Sequence, residues 1–207
     1  MKVILVNGSP NKEGCTHTAL SEAAESLQKN GAAAQIYWLG NKPISGCMAC
    51  GVCRSKGDGC VVKDTVGEFA ALAKGADGFV FGSPVHYASA AGALCSFMDR
   101  LFFAHSAEFR GKPAAAVVSC RRGGATAALD RINKYFAISQ MPVVSSQYWN
   151  MVHGHTPDEV RQDLEGLQIM RTLGGNMAWL LKCIAAGKSA GINMPPPENR
   201  IVTSFIR

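Results

Sequence analysis

Short apolar runs alternate along this chain with stretches whose apolar residues recur at helical spacing. The first run, Val3-Ile4-Leu5-Val6, is mostly β-branched and uninterrupted, which predicts a strand buried on both faces and so a parallel one. Gly8 and Pro10 end it, and an Ala/Leu/Glu-rich helix is expected over roughly 17–30, closed by Asn30-Gly31. Ala33 to Leu39 predicts a second strand. Asp64 can cap a short helix to about Lys74, with Gly75 as its stop. Gly78 to Gly82 is a third buried strand that runs into Ser83-Pro84-Val85-His86-Tyr87. Ala88 to Ala104 is expected to be helical, with Leu94, Phe97, Met98, Leu101 and Phe102 on one face. Ala114 to Ser119 predicts a fourth strand, Ala125 to Ile138 a helix, and Met141 to Ser145 a fifth strand. Thr156-Pro157-Asp158-Glu159 opens a last helix, expected to reach about Ala186 with an irregularity at Gly174-Gly175.

Strict alternation of strand and helix predicts an α/β fold, a doubly wound five-stranded parallel sheet with helices on both faces. The common strand order for such a unit is 2-1-3-4-5, with ligands beyond the carboxyl ends of the strands, at the switch between strands one and three. Three unusual loops follow strands one, three and four, and this order sets them side by side. Residues 1–190 are expected to form a single domain, and residues 191–207, with Pro195-Pro196-Pro197, a tail packed on the body or on a neighbour. The stretch from Gly40 to Lys63 has no periodicity, and an aperiodic loop of that length inside a domain is usually functional.

At 207 residues, with 47% apolar and 17% charged residues, the chain can bury one full core. No run of about 18 apolar residues occurs, so no membrane partner is expected. Eight cysteines without a secretion-type segment point to a reducing, cytoplasmic setting, where clustered thiols mean metal or redox chemistry more often than disulfides. The net charge is +6, but the basic residues are scattered and Arg121-Arg122 is the sole Arg-Arg pair, so no nucleic-acid partner is expected. A mild positive field favours anionic small molecules.

The turn after the first strand gathers small residues and hydroxyls just before a helix. Unpaired backbone N–H groups and the helix dipole converge at such a place and favour an anion, with Ser9, Thr16 and Thr18 as added donors. An ordinary capped connection is the competing reading. The nucleotide-triphosphate loop pattern is absent, and Gly187-Lys188-Ser189 lacks its leading glycine because position 182 is Lys. The dinucleotide glycine pattern is absent too. A hydroxyl-lined loop without a metal-handling lysine suits a terminal phosphate monoester, such as that of flavin mononucleotide (FMN).

The segment Asn7-Gly8-Ser9-Pro10-x-x-x-Gly14-x-Thr16 resembles the phosphate loop of the NADPH-dependent FMN reductase and iron–sulfur flavoprotein superfamily, whose fold is flavodoxin-like. The usual form has a basic residue after Pro and Asn before Thr. Asn11 and Cys15 stand there instead, with Lys12 available for the basic role. The resemblance implies an FMN whose phosphate lies among Ser9, Asn11, Lys12, Cys15, Thr16 and His17. Its second loop, usually Ser-Pro-[Val/Ile]-Tyr, is here Ser83-Pro84-Val85-His86-Tyr87, with the aromatic shifted by one. Pro84, Val85, His86 and Tyr87 would line the flavin ring; a strand-end turn with a half-buried tyrosine is the alternative. In the third loop, Ser119 to Gly124, Gly123 and Gly124 permit close approach to a planar ligand. Arg121 or Arg122 there would stabilise an anionic reduced flavin. A surface Arg-Arg turn is the competitor.

The aperiodic loop carries Cys47-x2-Cys50-x2-Cys53-x6-Cys60. Spacings of two residues wrap thiolates around one face of an iron–sulfur cubane. Structural zinc usually draws on two separated pairs. The arrangement resembles the compact motif of iron–sulfur flavoproteins, yet cluster-free relatives keep several of these cysteines, so free thiols or a disulfide stay open. Elsewhere, His153-Gly154-His155 reads as a polar loop near the ligand or a neighbouring subunit. Asp99-Arg100 reads as a helix-end ion pair at a subunit contact, and Cys95 and Cys183 as buried small apolar residues. Tyr148 and Trp149 would shield the site or pack on the long helix. The resemblance implies NAD(P)H as electron donor, a small-molecule acceptor (quinone, flavin, nitro or azo compound, or metal ion) and a homodimer or homotetramer. The alternative is an electron carrier using FMN and a four-iron cluster.

Overall fold

The computed structural model describes residues 1–199, 201–203 and 205. Five parallel strands form the sheet: β1 (Lys2–Asn7), β2 (Ala33–Trp38), β3 (Gly78–His86), β5 (Ala114–Cys120) and β6 (Met151–His153). They lie in the order β2-β1-β3-β5-β6, and a two-residue strand β4 (Ser89–Ala90) folds back antiparallel on the end of β3. With β4 set aside, this is the expected 2-1-3-4-5 sheet. The register pairs Val3 to Asn7 of β1 with Gly78 to Gly82 of β3, so both strands run toward the same rim, with β3 continuing to His86.

Helices α1 (Cys15–Lys29), α6 (Pro157–Gln162) and α7 (Leu164–Ser189) accompany one core cluster, built on Val3, Leu5, Val80, Val117 and Val152. Helices α3 (Thr65–Ala73), α4 (Gly92–His105) and α5 (Ala125–Ile138) accompany the other, built on Ile4, Val6, Phe79, Phe81 and Val118. Alternate residues of β1 thus point to opposite layers, as an interior parallel strand requires. The second layer is aromatic: Phe69 packs against Tyr37, Phe79, Phe81 and Phe97, and Phe102 against Phe81, Phe109 and Phe136.

Several expectations shift. The helix expected from Ala88 begins at Gly92, because Ser89 and Ala90 pair with the end of β3. The fifth strand is Met151–His153 rather than Met141–Ser145. Residues 142–144 do start beside β5, through Ala114 N–H to Pro142 O (2.9 Å) and Val144 N–H to Ala114 O (2.8 Å), before the chain leaves the sheet. That excursion is held by α7: Ser146 Oγ donates to Ile169 O and Asn176 Nδ2 to Ser145 O. The last helix breaks at Asp163 and runs unbroken through Gly174. Asp163 leaves helical geometry (φ −75°, ψ 76°) because its carboxylate caps the next helix at Gly166 N–H. Gly174 instead lets α7 approach α1: a Cβ there would sit 2.6 Å from Ser26 Cβ and 2.7 Å from Ala23 O. The cysteine loop contains a short helix α2 (Val52–Lys56). Cys95 is buried as expected, but Cys183 is exposed on α7.

The tail leaves α7 at a left-handed Gly191 and Arg110 donates to Pro195 O across it. Of the tail, Arg200, Ser204, Ile206 and Arg207 lie outside the described residues. Among the described residues no helix is long and apolar enough to cross a membrane.

Candidate functional site

The strand-one loop is built from its own polar groups. Asn7, fully buried at the end of β1, accepts Ser9 N–H at its side-chain oxygen (3.1 Å) and donates from Nδ2 to Lys12 O (3.0 Å). Ser9 Oγ accepts Asn11 N–H, and Gly14 N–H returns to Asn11 O. From the neighbouring strand, Trp38 Nε1 donates to Ser9 O at 2.8 Å. Helix α1 opens at Cys15 with Gly14 as a cap that supplies no side-chain acceptor, so its first N–H groups face the turn unfilled by its own cap. Ser9 and Thr16 are buried, Cys15 and His17 half-buried, and Asn11 and Lys12 exposed at the mouth. Burial pushes the Cys15 thiol up, and its Sγ donates to Gly154 O at 3.7 Å.

The three loops are physically linked. Thr16 Oγ1 and Ser119 Oγ share a hydrogen bond of 2.8 Å across 103 residues of sequence, joining the first loop to the third. Gly124 joins the third to the second: at φ +90°, a Cβ there would lie 2.9 Å from Val85 Cγ1 and 3.2 Å from Tyr87 O. Ser83 fixes the second loop by accepting Ala91 N–H at 2.9 Å while donating to Pro84 O. Beyond it Tyr87 stands at φ 55° with its ring fully exposed, beside exposed His86 and half-buried Pro84 and Val85. Arg121, Arg122 and Gly123 are exposed along the same rim. Lys12, Arg121 and Arg122 therefore set a positive edge around a shelf of small residues, and that arrangement suits a phosphorylated planar ligand.

All four loop cysteines, Cys47, Cys50, Cys53 and Cys60, line one small cavity with Met48, Val61, Val62, Phe103 and Arg100. Among the described residues no three His, Cys, Asp or Glu side chains converge tightly enough for a single metal ion. A cubane asks for a different arrangement, since each thiolate binds its own iron around a common body. Four thiols spread over one largely apolar cavity fit that group better than a mononuclear zinc.

Arg100 overturns its expected role. Its side chain is only 1% exposed and forms a two-pronged ion pair with Asp64, at 2.6 and 2.9 Å. Asp99 instead receives the Tyr135 hydroxyl. The guanidinium also donates to Cys60 Sγ (3.4 Å), Ser45 O (3.3 Å) and Val62 O (3.1 Å). Burial works against the Asp64 carboxylate, but hydrogen bonds from Arg100 and Val66 N–H outweigh it and hold the group below the usual range. The Asp64 bond raises the Arg100 pKa further. Beneath the loop, burial lowers the pKa of His105, whose Nε2 has no hydrogen-bond partner among the described residues and whose ring fills the space a side chain at Gly59 would need.

His153 and His155 are exposed, tied to α6 and α7 by His153 N–H to Asp163 and His155 N–H to Glu159. Tyr148 and Trp149 pack against each other with ring centroids 4.8 Å apart and planes tilted by 56°, and both stay half-exposed. Sequence reasoning missed Asn7, Trp38 and the partner of Arg100. A buried Asn ending an apolar strand was a readable signal; the other two depend on pairings across the fold.

Residues 1–156 match the family model described as NADPH-dependent FMN reductase. Two iron–sulfur flavoproteins of Methanocaldococcus jannaschii are similar to the chain. One is 31% identical over 89% of this chain and 99% of its own, the other 32% over 83% and 92%. Among solved structures, an archaeal flavodoxin matches the fold with a TM-score of 0.60 at 20% identity, over 88% of this chain and 99% of its own. Fold, three-loop rim and sequence thus agree: the chain belongs to the NADPH-dependent FMN reductase family and is an FMN-dependent oxidoreductase of flavodoxin-like fold.

Proposed function

We propose that the protein holds FMN on its three-loop rim and a four-iron cluster on Cys47, Cys50, Cys53 and Cys60, and moves electrons through both to a small-molecule acceptor. The observation that carries this reading is the single cavity shared by the four thiols. The two M. jannaschii relatives, both named iron–sulfur flavoproteins, support it. Bound FMN would supply hydride and single-electron chemistry, and a cluster single-electron transfer.

The chain's own residues bind and orient. The α1 N-terminus with Ser9 and Thr16 would hold the phosphate, while Asn7 and Trp38 keep that loop in shape. Gly124 brings the third loop against the second, giving the ring a flat seat, with Pro84 to Tyr87 along one side and Arg121 or Arg122 placing positive charge beside it. No side chain is required as acid or base. Residues 1–190 act as one unit in this reading. Exposed Phe103 and Ile138 supply apolar surface for a homodimer or homotetramer.

The electron donor separates two versions. The family description and the +6 net charge favour NAD(P)H, an anionic hydride donor. A carrier would be charged by another protein instead. Anaerobic purification followed by FMN, iron and sulfide analysis, with a steady-state NADPH oxidation assay, decides. Flavin and iron together with NADPH turnover support the full proposal. A cluster with no NADPH oxidation leaves the carrier, and an iron-free protein with rapid NADPH oxidation leaves a simple flavin reductase.

A further inference from the structure

A buried arginine is costly unless every donor is used, and Arg100 uses its donors in a particular place. Its partners bracket the cysteine loop: Ser45 stands before Cys47, and Cys60, Val62 and Asp64 close the far end. The helix that carries it, α4, is fixed in the aromatic core by Phe97, Leu101 and Phe102. The two ends of an otherwise exposed loop are therefore tied to one rigid point. The Nε–H donates specifically to the sulfur of the fourth cysteine.

We infer that Arg100 is the positioning residue of the four-cysteine centre: it closes the loop across its ends and holds the Cys60 sulfur by an N–H donor. The part of this that concerns redox rests on the cluster reading above; the closing of the loop does not. A charged donor on a ligating sulfur stabilises the more negative, reduced form, so it raises the reduction potential of whatever that sulfur holds.

The test has two arms, with Arg100→Gln and Arg100→Lys. First, iron is removed by chelation with FMN retained, and alkylation by iodoacetamide is followed by peptide mass spectrometry. With alkylation run at about pH 10, where free thiols are ionised with or without a cationic neighbour, Cys60 should react at least about tenfold faster in R100Q because the loop opens, while exposed Cys183 on α7 reacts at an unchanged rate. Second, the iron-loaded protein is titrated with dithionite, which is oxidised to sulfite and gives one electron to each cluster, and reduction is followed by electron paramagnetic resonance. The oxidised-to-reduced ratio at a fixed potential should rise about tenfold in R100Q, a fall of about 59 mV for a one-electron couple. R100K keeps the charge but not the planar fork, so it should expose Cys60 with a smaller shift in potential. If R100Q loses FMN or helical circular dichroism, R100K carries the first arm. Wild-type protein that takes up no iron, with faster Cys60 alkylation in the variant, supports the positioning role and sinks the cluster. Unchanged alkylation in both variants overturns the inference.

Discussion

Thr16 Oγ1 lies 2.8 Å from Ser119 Oγ, both buried, so the first turn of α1 and the end of β5 share one hydrogen bond at the centre of the rim. Thr16→Val keeps the shape and removes the bond, leaving a buried hydroxyl on Ser119 unpaired at a cost of about 1–3 kcal/mol. FMN affinity, measured by quenching of flavin fluorescence, should fall roughly tenfold, while the far-ultraviolet circular dichroism stays that of the wild type.

Gly123 and Gly124 are adjacent but not equivalent. Among the described residues nothing beyond its chain neighbours lies within 4 Å of a Cβ at Gly123, whereas Gly124 has φ +90° and faces Val85 and Tyr87. Gly124→Ala should strain the turn by about 1–3 kcal/mol and weaken FMN binding at least about tenfold, with Gly123→Ala within about twofold of wild type. Equal losses in the two variants would mean that the second and third loops do not meet through Gly124.

The same contrast exists on α7. A Cβ at Gly174 would collide with Ser26 and Ala23, while at Gly175 the nearest atom is 3.9 Å away. Gly174→Ala should cost about 1–3 kcal/mol in urea unfolding and Gly175→Ala should be neutral or stabilising by up to about 1 kcal/mol.

The topology was legible because each buried strand is an uninterrupted apolar run, and a parallel sheet with alternating helices has few solutions. The rim was legible from hydroxyls and glycines placed just past those runs. What escaped was set by pairing between distant segments. Met141 to Ser145 is as apolar as a strand, yet Ser145 and Ser146 are pulled to α7, and the sheet resumes at Met151. Asp99 and Arg100 are neighbours in sequence but leave α4 in different directions, Asp99 to Tyr135 on α5 and Arg100 to Asp64, 36 residues earlier. The helix break at Asp163 has no glycine or proline to mark it; a capping carboxylate makes it.

His105 gives the loop an acid sensitivity. Burial lowers its pKa, so the unfolded chain binds a proton that the folded one refuses as pH falls below the unfolded value of about 6.5. Its contribution therefore destabilises the fold on acidification through that window and vanishes above it. Chemical denaturation between about pH 7.5 and 5.5 should show a steeper fall in stability for wild type than for His105→Gln. Parallel curves would place His105 in contact with water.

The absorption spectrum of anaerobically purified protein, read together with FMN and iron content, tests the central claim most directly. The account predicts a flavin spectrum with one FMN per chain on a broad brown absorption from about four irons, and loss of the flavin alone in Ser9→Trp. Colourless protein that takes up no FMN when it is supplied, or full flavin occupancy in Ser9→Trp, would contradict it.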